Sequence, residues 1–171
     1  ERFGRKTRHG KKTERAYLEV NLDRLAHNAA VLQSAMPKNC ELMAAVKARA
    51  YGHGACPVAA HLEKNDVKAF AVATIDEGIE LRRGGIRGEI LILGFTDERR
   101  AKDLKKYRLT QTLIDFSYAE RLNRQNVPVR VHLAVDSGMH RLGIAADDLA
   151  SVRRIFRMKN LKVEGIFTHL C

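Results

Sequence analysis

Short apolar runs alternate with amphipathic stretches from Ala16 onward, and this alternation constrains the fold more than any other feature of the sequence. Alternating strands and helices build a parallel sheet, because a helix must carry the chain back before the next parallel strand begins. We therefore expect an α/β fold, either a (β/α)8 TIM-type barrel with about six of its eight strands present here or an open doubly wound sheet. Counted from Leu42, the pattern predicts strands over residues 42–46, 69–73, 90–93, 112–114, 129–135 and 163–167.

Two of the predicted helices have a recognisable first turn. Thr74 with Glu77, and Ser117 with Glu120, both match the capping box, in which a hydroxyl and a carboxylate satisfy backbone amides that would otherwise lack a partner. A further short strand is predicted over residues 17–20, before the first helix.

The formal net charge of +11 suggests nucleic acid or an anionic surface as a binding partner. Residues 1–15 hold seven basic and two acidic side chains, so this almost wholly polar segment accounts for +5. We expect a basic disordered tail or linker there, with a juxtamembrane stretch as the alternative. The remaining charge is scattered and only 6% of the residues are aromatic, which argues against a nucleic-acid-binding module.

The cysteine and histidine residues limit the cellular compartment and the metal sites that are compatible with the sequence. Cys40, Cys56 and Cys171 are odd in number and unpaired in spacing, which favours a reducing compartment and hence the cytoplasm. His53, Cys56 and His61 are close in sequence but match no zinc pattern, so no metal site is predicted. No apolar run is long enough to cross a bilayer. The chain lacks an initial Met and stops after the sixth predicted strand, so we expect an excerpt of a longer polypeptide.

Lys47 closes an otherwise apolar strand and opens a polar loop, within the string AVKARAYGHG over residues 45–54. In a barrel of parallel strands, functional side chains gather at the C-terminal ends of the strands. Burying the charge of a lysine costs free energy, so a lysine at such a position suggests a function. One such function is to form an imine with a carbonyl group. The alternative is that the long side chain reaches solvent. Gly52 and Gly54 would let the loop approach a ligand closely.

The string AVKARAYGHG resembles the pyridoxal-phosphate attachment motif of the alanine racemase family. The resemblance implies that Lys47 forms the internal aldimine with pyridoxal 5'-phosphate. It also implies that Tyr51, four residues later, helps to hold the cofactor phosphate. Similarity to this family extends from residue 16 to residue 171, and includes residues 73–86, which we expect to stabilise the barrel rather than catalyse.

Two further segments resemble the same family in the same order along the chain. VHLAVDSGMHRLG, residues 131–143, is similar to its fifth-strand segment and implies that Arg141 binds the phenolic oxygen of the cofactor. GIFTHL, residues 165–170, is similar to its sixth-strand segment and implies that His169 lies against the pyridine ring. Without the resemblance, a surface salt bridge and a structural hydrogen bond would be the ordinary roles of these two side chains.

One residue departs from the family pattern. Many alanine racemases have, at the position of Ala134, a carbamylated lysine that orients the arginine, and alanine cannot do this. We therefore expect that Arg141 is positioned otherwise, by a bound anion or another side chain, and that substrate preference differs. His53 and His140 have no motif support and are interpreted as loop residues.

The resemblance implies a pyridoxal-phosphate-dependent amino-acid racemase that interconverts L- and D-alanine, L- and D-serine, or both, and supplies D-amino acid for peptidoglycan. Lys47 would be one of two bases, and the second would come from the C-terminal β domain of the partner in a homodimer, outside this chain. The basic tail and Ala134 suit the membrane-linked serine/alanine racemases of the vancomycin-resistance type, at the cytoplasmic face of the membrane. A non-catalytic pyridoxal-phosphate carrier with a related barrel is the open alternative.

Overall fold

The computed structural model describes residues 18–170, and the basic segment 1–15 lies outside them. Within this range the chain forms one parallel sheet in the order β1-β2-β3-β4-β5-β6, with β7 pairing to β5. The predicted α/β parallel sheet is confirmed, and the two-residue β6 is the one strand here that the pattern did not predict. The strands are β1 (Met43–Ala45), β2 (Ala69–Val72), β3 (Glu89–Ile92), β4 (Thr110–Leu113), β5 (Val129–Asp136), β6 (Ile144–Ala145) and β7 (Leu161–Thr168).

Helices connect most of the strands, as parallel pairing requires. Two helical elements lie between β1 and β2, and neither was predicted from the sequence. The helices are α1 (Leu22–Ala35), the short α2 (Lys47–Tyr51), α3 (Ala55–Lys64), α4 (Ile75–Arg83), α5 (Ala101–Lys106) after a 3₁₀ turn (Glu98–Arg100), α6 (Phe116–Asn123) and α7 (Leu149–Ile155). No helix between residues 18 and 170 is both long and apolar enough to cross a membrane.

One predicted capping box is confirmed and the other is wrong. The Oγ1 of Thr74 accepts from the N–H of Glu77 at 3.3 Å, and the carboxylate of Glu77 accepts in return from the N–H of Thr74. Helix α6 instead begins one residue before Ser117, because the carboxylate of Asp115 caps it by accepting from the N–H of Tyr118 at 2.6 Å. The predicted strand 17–20 is wrong for residues 18–20, which are irregular, and residue 17 lies outside the described range.

The apolar core lies between the sheet and its helices. Alternate strand residues face the helices and are fully buried, and among them are Phe70, Ile90, Ile92, Leu113 and Leu133. Within residues 18–170, β1 pairs only with β2 and β7 only with β5, so the sheet has two open edges. Its longer strands follow one another in chain order, as in a TIM-type barrel, and the order does not reverse as it does in a doubly wound sheet. Six longer strands are present, in agreement with the predicted number.

Charged side chains occupy the other face of the sheet near the N-terminal ends of the strands. Arg130 on β5 pairs with Glu89 on β3 and, through Nε at 2.5 Å, with Glu164 on β7. The hydroxyl of Thr110 on β4 donates to Glu89. The pairing of β5 with β7 shifts register by one residue at Glu164. This ion-pair network ties β3, β4, β5 and β7 together below the cavity described next.

Candidate functional site

A cavity of about 300 Å³ opens at the C-terminal ends of the parallel strands. That volume is at the lower end of the range for small-molecule sites, about 300 to 1,000 Å³. All four site residues predicted from the sequence line it: Lys47 and Tyr51 from the segment after β1, Arg141 from the loop after β5, and His169 after β7. The remaining lining residues are Ala45, Leu93, Ala134, Val135, Asp136, Met139, Leu142 and Phe167.

Lys47 enters this cavity from a turn of unusual handedness. Residues 48–51 all have φ between 50° and 55°, so the short element α2 is a single left-handed turn without a glycine. Left-handed helical backbone costs about 1–2 kcal/mol per non-glycine residue, or about 4–8 kcal/mol for four residues. The turn is closed by hydrogen bonds from Ala50 N to Val46 O at 2.9 Å and from Gly54 N to Arg49 O at 2.8 Å. Such strain persists only where the surroundings determine the conformation, and it concentrates at functional sites.

Glu77 holds this turn from outside. Its Oε1 accepts from the N–H of Ala48, the residue after Lys47, at 2.8 Å. Its Oε2 accepts from the N–H of Ala73, directly after β2, at 2.7 Å. The sequence identified Glu77 only as part of a capping box, because a contact between residues 29 positions apart leaves no local signal.

The loop that carries Arg141 is folded around Asp136 at the end of β5. Asp136 Oδ1 accepts from the N–H groups of Gly138 and His140, both at 3.0 Å, and Oδ2 lies 3.0 Å from Nδ1 of His140. The backbone N–H groups of His140 and Gly138 lower the pKa of the Asp136 carboxyl below its usual range, so it is ionised at neutral pH. This pairing leaves His140 in the loop, where the sequence interpretation had it.

Gly143 fixes the other end of that loop. Its φ is +117°, its N–H donates to the carbonyl of Ile114 after β4 at 2.7 Å, and a Cβ there would lie 2.7 Å from the backbone nitrogen of Asp136. Arg141 therefore sits between two anchored points. It forms no ion pair with any side chain of residues 18–170, so the ordinary role of a surface salt bridge is not what the structure shows.

His169 completes the rim beside Phe167. Its Nδ1 lies 2.8 Å from the carbonyl of Leu170, and since a carbonyl only accepts, this contact requires a proton on Nδ1. The preceding Thr168 donates to the carbonyl of Val135 at 2.9 Å and shares a 2.5 Å contact with the hydroxyl of Ser137. The hydroxyl pair joins the end of β7 to the Arg141 loop.

The cavity combines apolar walls with two basic side chains, Lys47 and Arg141, and one phenol, Tyr51, which is 64% exposed. The carboxylate of Asp136 also lines the cavity, but its oxygens accept from backbone N–H groups of the loop. This set can hold a small planar molecule that carries negative charge and can present a primary amine to it. No group of three His, Cys, Asp or Glu side chains in the described range could hold a metal ion. His53 lies in the loop after the left-handed turn and does not line the cavity.

Known proteins that resemble this chain in sequence and in structure are described as racemases. Residues 20–171 match the family model described as alanine racemase, N-terminal domain. An amino-acid racemase from Enterococcus faecalis is 53% identical over 98% of the chain, and a serine/alanine racemase from Enterococcus gallinarum is 42% identical over 92% of it. The crystal structure of alanine racemase from E. faecalis covers 89% of the chain with a TM-score of 0.83 and 35% identity.

The matched region is a fraction of each of these proteins. The chain spans 24% of the E. faecalis amino-acid racemase, 22% of the E. gallinarum protein and 43% of the E. faecalis alanine racemase chain in its crystal structure.

Proposed function

The chain belongs to the family of alanine racemase N-terminal domains, and from that premise we propose that it is the pyridoxal-phosphate-binding part of an amino-acid racemase, with Lys47 as the residue that carries the cofactor. The observation that carries this proposal is the meeting of three separate motifs. Three strand ends contribute side chains to one cavity of about 300 Å³: the first contributes Lys47 and Tyr51, the second Arg141 and the third His169.

The residues of the cavity fit the proposed cofactor. Lys47 offers the amine that would bond to its aldehyde carbon, and the hydroxyl of Tyr51 would hold the phosphate. Arg141 would donate to the phenolic oxygen, because its planar fork of N–H groups suits an anionic oxygen. His169 and Phe167 would lie against the ring, since aromatic and imidazole side chains at the same rim offer flat surfaces.

Racemisation requires a proton to leave the α-carbon from one face and to return on the other. The bound cofactor would delocalise the negative charge left on the α-carbon. In our proposal the amine of Lys47 removes or returns the proton on one face, and apolar walls that include Leu93 and Ala134 keep water away from that carbon. The base for the other face would come from the part of the protein that this chain does not cover.

Ala134 has no polar group to orient Arg141, so another feature must do so. We propose that the loop itself does this, through the turn around Asp136 and the close approach of Gly143 to β5. The small Ala134 side chain also leaves room in the cavity wall, which suits either alanine or serine as the substrate. The names of the curated relatives, amino-acid racemase and serine/alanine racemase, support the same two candidates.

Further features of the full-length protein follow from the same proposal. It would act in the cytoplasm as a homodimer, with the second base supplied by the partner's C-terminal domain, and would supply D-amino acid for peptidoglycan. The segment 1–15 would be a basic linker, which in a membrane-tethered form would lie at the cytoplasmic face. A non-catalytic carrier is not favoured, because the curated relatives are named as racemases.

The test is racemisation of L-alanine and L-serine by the full-length protein, read as D-amino acid formed. Lys47→Ala should abolish turnover with both substrates, because the variant loses the cofactor bond and one base together. Lys64→Ala, which removes an exposed lysine at the end of α3, is the matched control and should leave turnover unchanged. Full activity in the Lys47→Ala variant would contradict the proposal.

A further inference from the structure

One carboxylate joins the ends of two neighbouring strands beside the cavity. Glu77 lies in the first turn of α4, where its Oε2 accepts from Ala73 N at 2.7 Å and from Thr74 N at 3.3 Å. Its other oxygen, Oε1, reaches across to Ala48 N at 2.8 Å. Both oxygens therefore accept backbone N–H groups, one from the segment after β1 and two from the segment after β2.

The contact with Ala48 is more than helix capping requires. A capping box needs the carboxylate to accept only from the N-cap residue, which here is Thr74. Ala48 belongs to a different turn and follows Lys47 directly. The bond therefore fixes the backbone at the base of the lysine side chain.

The left-handed turn makes such a restraint necessary. Residues 48–51 adopt positive φ without a glycine, so the backbone would relax toward ordinary conformations if nothing held it. Ala48 is exposed, and the carboxylate holds the first amide of this strained turn. Hydrogen bonds to an ionised acceptor are stronger than neutral ones, which suits this task.

We propose that Glu77 is a positioning residue for Lys47: by holding the amide of Ala48 it sets the left-handed turn and the direction in which the lysine enters the cavity. The inference rests on the proposed function, in which Lys47 bonds to pyridoxal phosphate. Glu77 touches neither cofactor nor substrate and acts through the backbone of the turn.

Glu77→Gln is the sharpest perturbation, because it keeps the size of the side chain. An amide has one accepting oxygen and one NH₂ donor, so it cannot accept from Ala48 and from Ala73 with Thr74 at once. Thr74→Ala is the matched control: it removes the other half of the capping box and keeps the Glu77 carboxylate that accepts from the N–H of Ala48.

The first measurement is the rate at which pyridoxal phosphate labels Lys47 in the full-length apoprotein, quenched with borohydride and read by peptide mass. Glu77→Gln should slow labelling about ten- to a hundredfold, because a small misplacement of a reacting group costs up to two orders of magnitude. Thr74→Ala should stay within about twofold of wild type, although loss of a cap lowers its melting temperature as well. Equal labelling rates in the two variants would overturn the proposal.

The second measurement needs no variant and decides the case if Glu77→Gln does not fold. Hydrogen exchange of the wild-type protein, resolved to single residues by fragmentation and mass spectrometry, should show the Ala48 amide exchanging at least about tenfold slower than in a free peptide. Exchange at the free-peptide rate would overturn the proposal. A wild-type protein with a protected Ala48 amide but no label on Lys47 would instead contradict the proposed function.

Discussion

Gly143→Ala should destabilise the protein more than Gly138→Ala, although both glycines lie in the loop that carries Arg141. Both have positive φ, +117° and +132°, so an alanine at either position pays backbone strain of about 1–3 kcal/mol. They differ in surroundings. An alanine Cβ at 143 would lie 2.7 Å from Asp136 N and 2.9 Å from Val135 C, whereas one at 138 would meet nothing within 4 Å.

The difference between the two variants isolates the cost of the contact. Ordinary van der Waals contacts of a Cβ begin at 3.4 Å, so the loop or β5 must move by about 0.7 Å to accept the methyl group. The atoms it meets are backbone and cannot rotate away, and overpacking of this kind costs about 1–3 kcal/mol. For a domain of this size, each kcal/mol lowers the melting temperature by about 2–4 °C, which predicts an extra loss of about 2–12 °C for Gly143→Ala.

Thermal unfolding of the full-length variants, followed by circular dichroism, measures this difference. Gly143→Ala should also raise the concentration of pyridoxal phosphate needed for half-saturation, because the moved loop carries Arg141 away from the cavity. Equal melting temperatures for the two variants would refute the argument that Gly143 is needed for its close approach to β5. A lower melting temperature with unchanged cofactor affinity would refute the link to Arg141.

Three further predictions concern the rest of the domain. Arg130→Met leaves the carboxylate of Glu89, which is 30% exposed, without a cation, whereas Glu164 keeps its ion pair with Lys162. The cost should lie between that of surface and buried pairs, about 1–3 kcal/mol, and should be measured as a lower urea midpoint that Glu89→Gln partly restores. Burial lowers the pKa of His132 below its usual value of about 6.5, so the stability gained by keeping the imidazole neutral is present above pH 6.5 and is lost as the pH falls. On acidification the melting temperature of His132→Gln should therefore fall less than that of the wild type, and identical pH profiles would refute this. Arg82 donates to four backbone carbonyls at the N-terminal side of the sheet, so Arg82→Lys should lower the melting temperature. The rate at which pyridoxal phosphate labels Lys47, at the opposite end of the strands, should not change, and slower labelling would contradict the independence of the two ends.

Much of the fold could be predicted because its signals are local. Strands buried against helices read as apolar runs, and the capping box of Thr74 and Glu77 lies within four consecutive residues. Ser117 failed as a cap because Asp115, two residues earlier, offers a carboxylate to the same first turn, and the pattern alone does not rank the two acceptors. The helix Ala55–Lys64 was missed between the polar loop and the next strand.

In the candidate site, too, local motifs could be predicted from the sequence and contacts between distant residues could not. Lys47, Tyr51, Arg141 and His169 were predicted from motifs, and the structure brings all four to one cavity. The left-handed turn could not be predicted, because its residues include no glycine to suggest positive φ. The contact of Glu77 with Ala48 and the ion pairs of Arg130 join residues far apart in sequence, so they became visible only once the sheet was assembled.

The assignment of Lys47 as the residue that carries the cofactor is tested most directly by supplying the full-length protein with pyridoxal phosphate, reducing it with borohydride and mapping the labelled peptide. We expect a single label on Lys47, which is lost in Lys47→Ala and kept in Lys64→Ala. A folded, cofactor-supplied protein with Lys47 unlabelled, or with the label on another lysine, would contradict the assignment of this cavity as the cofactor site.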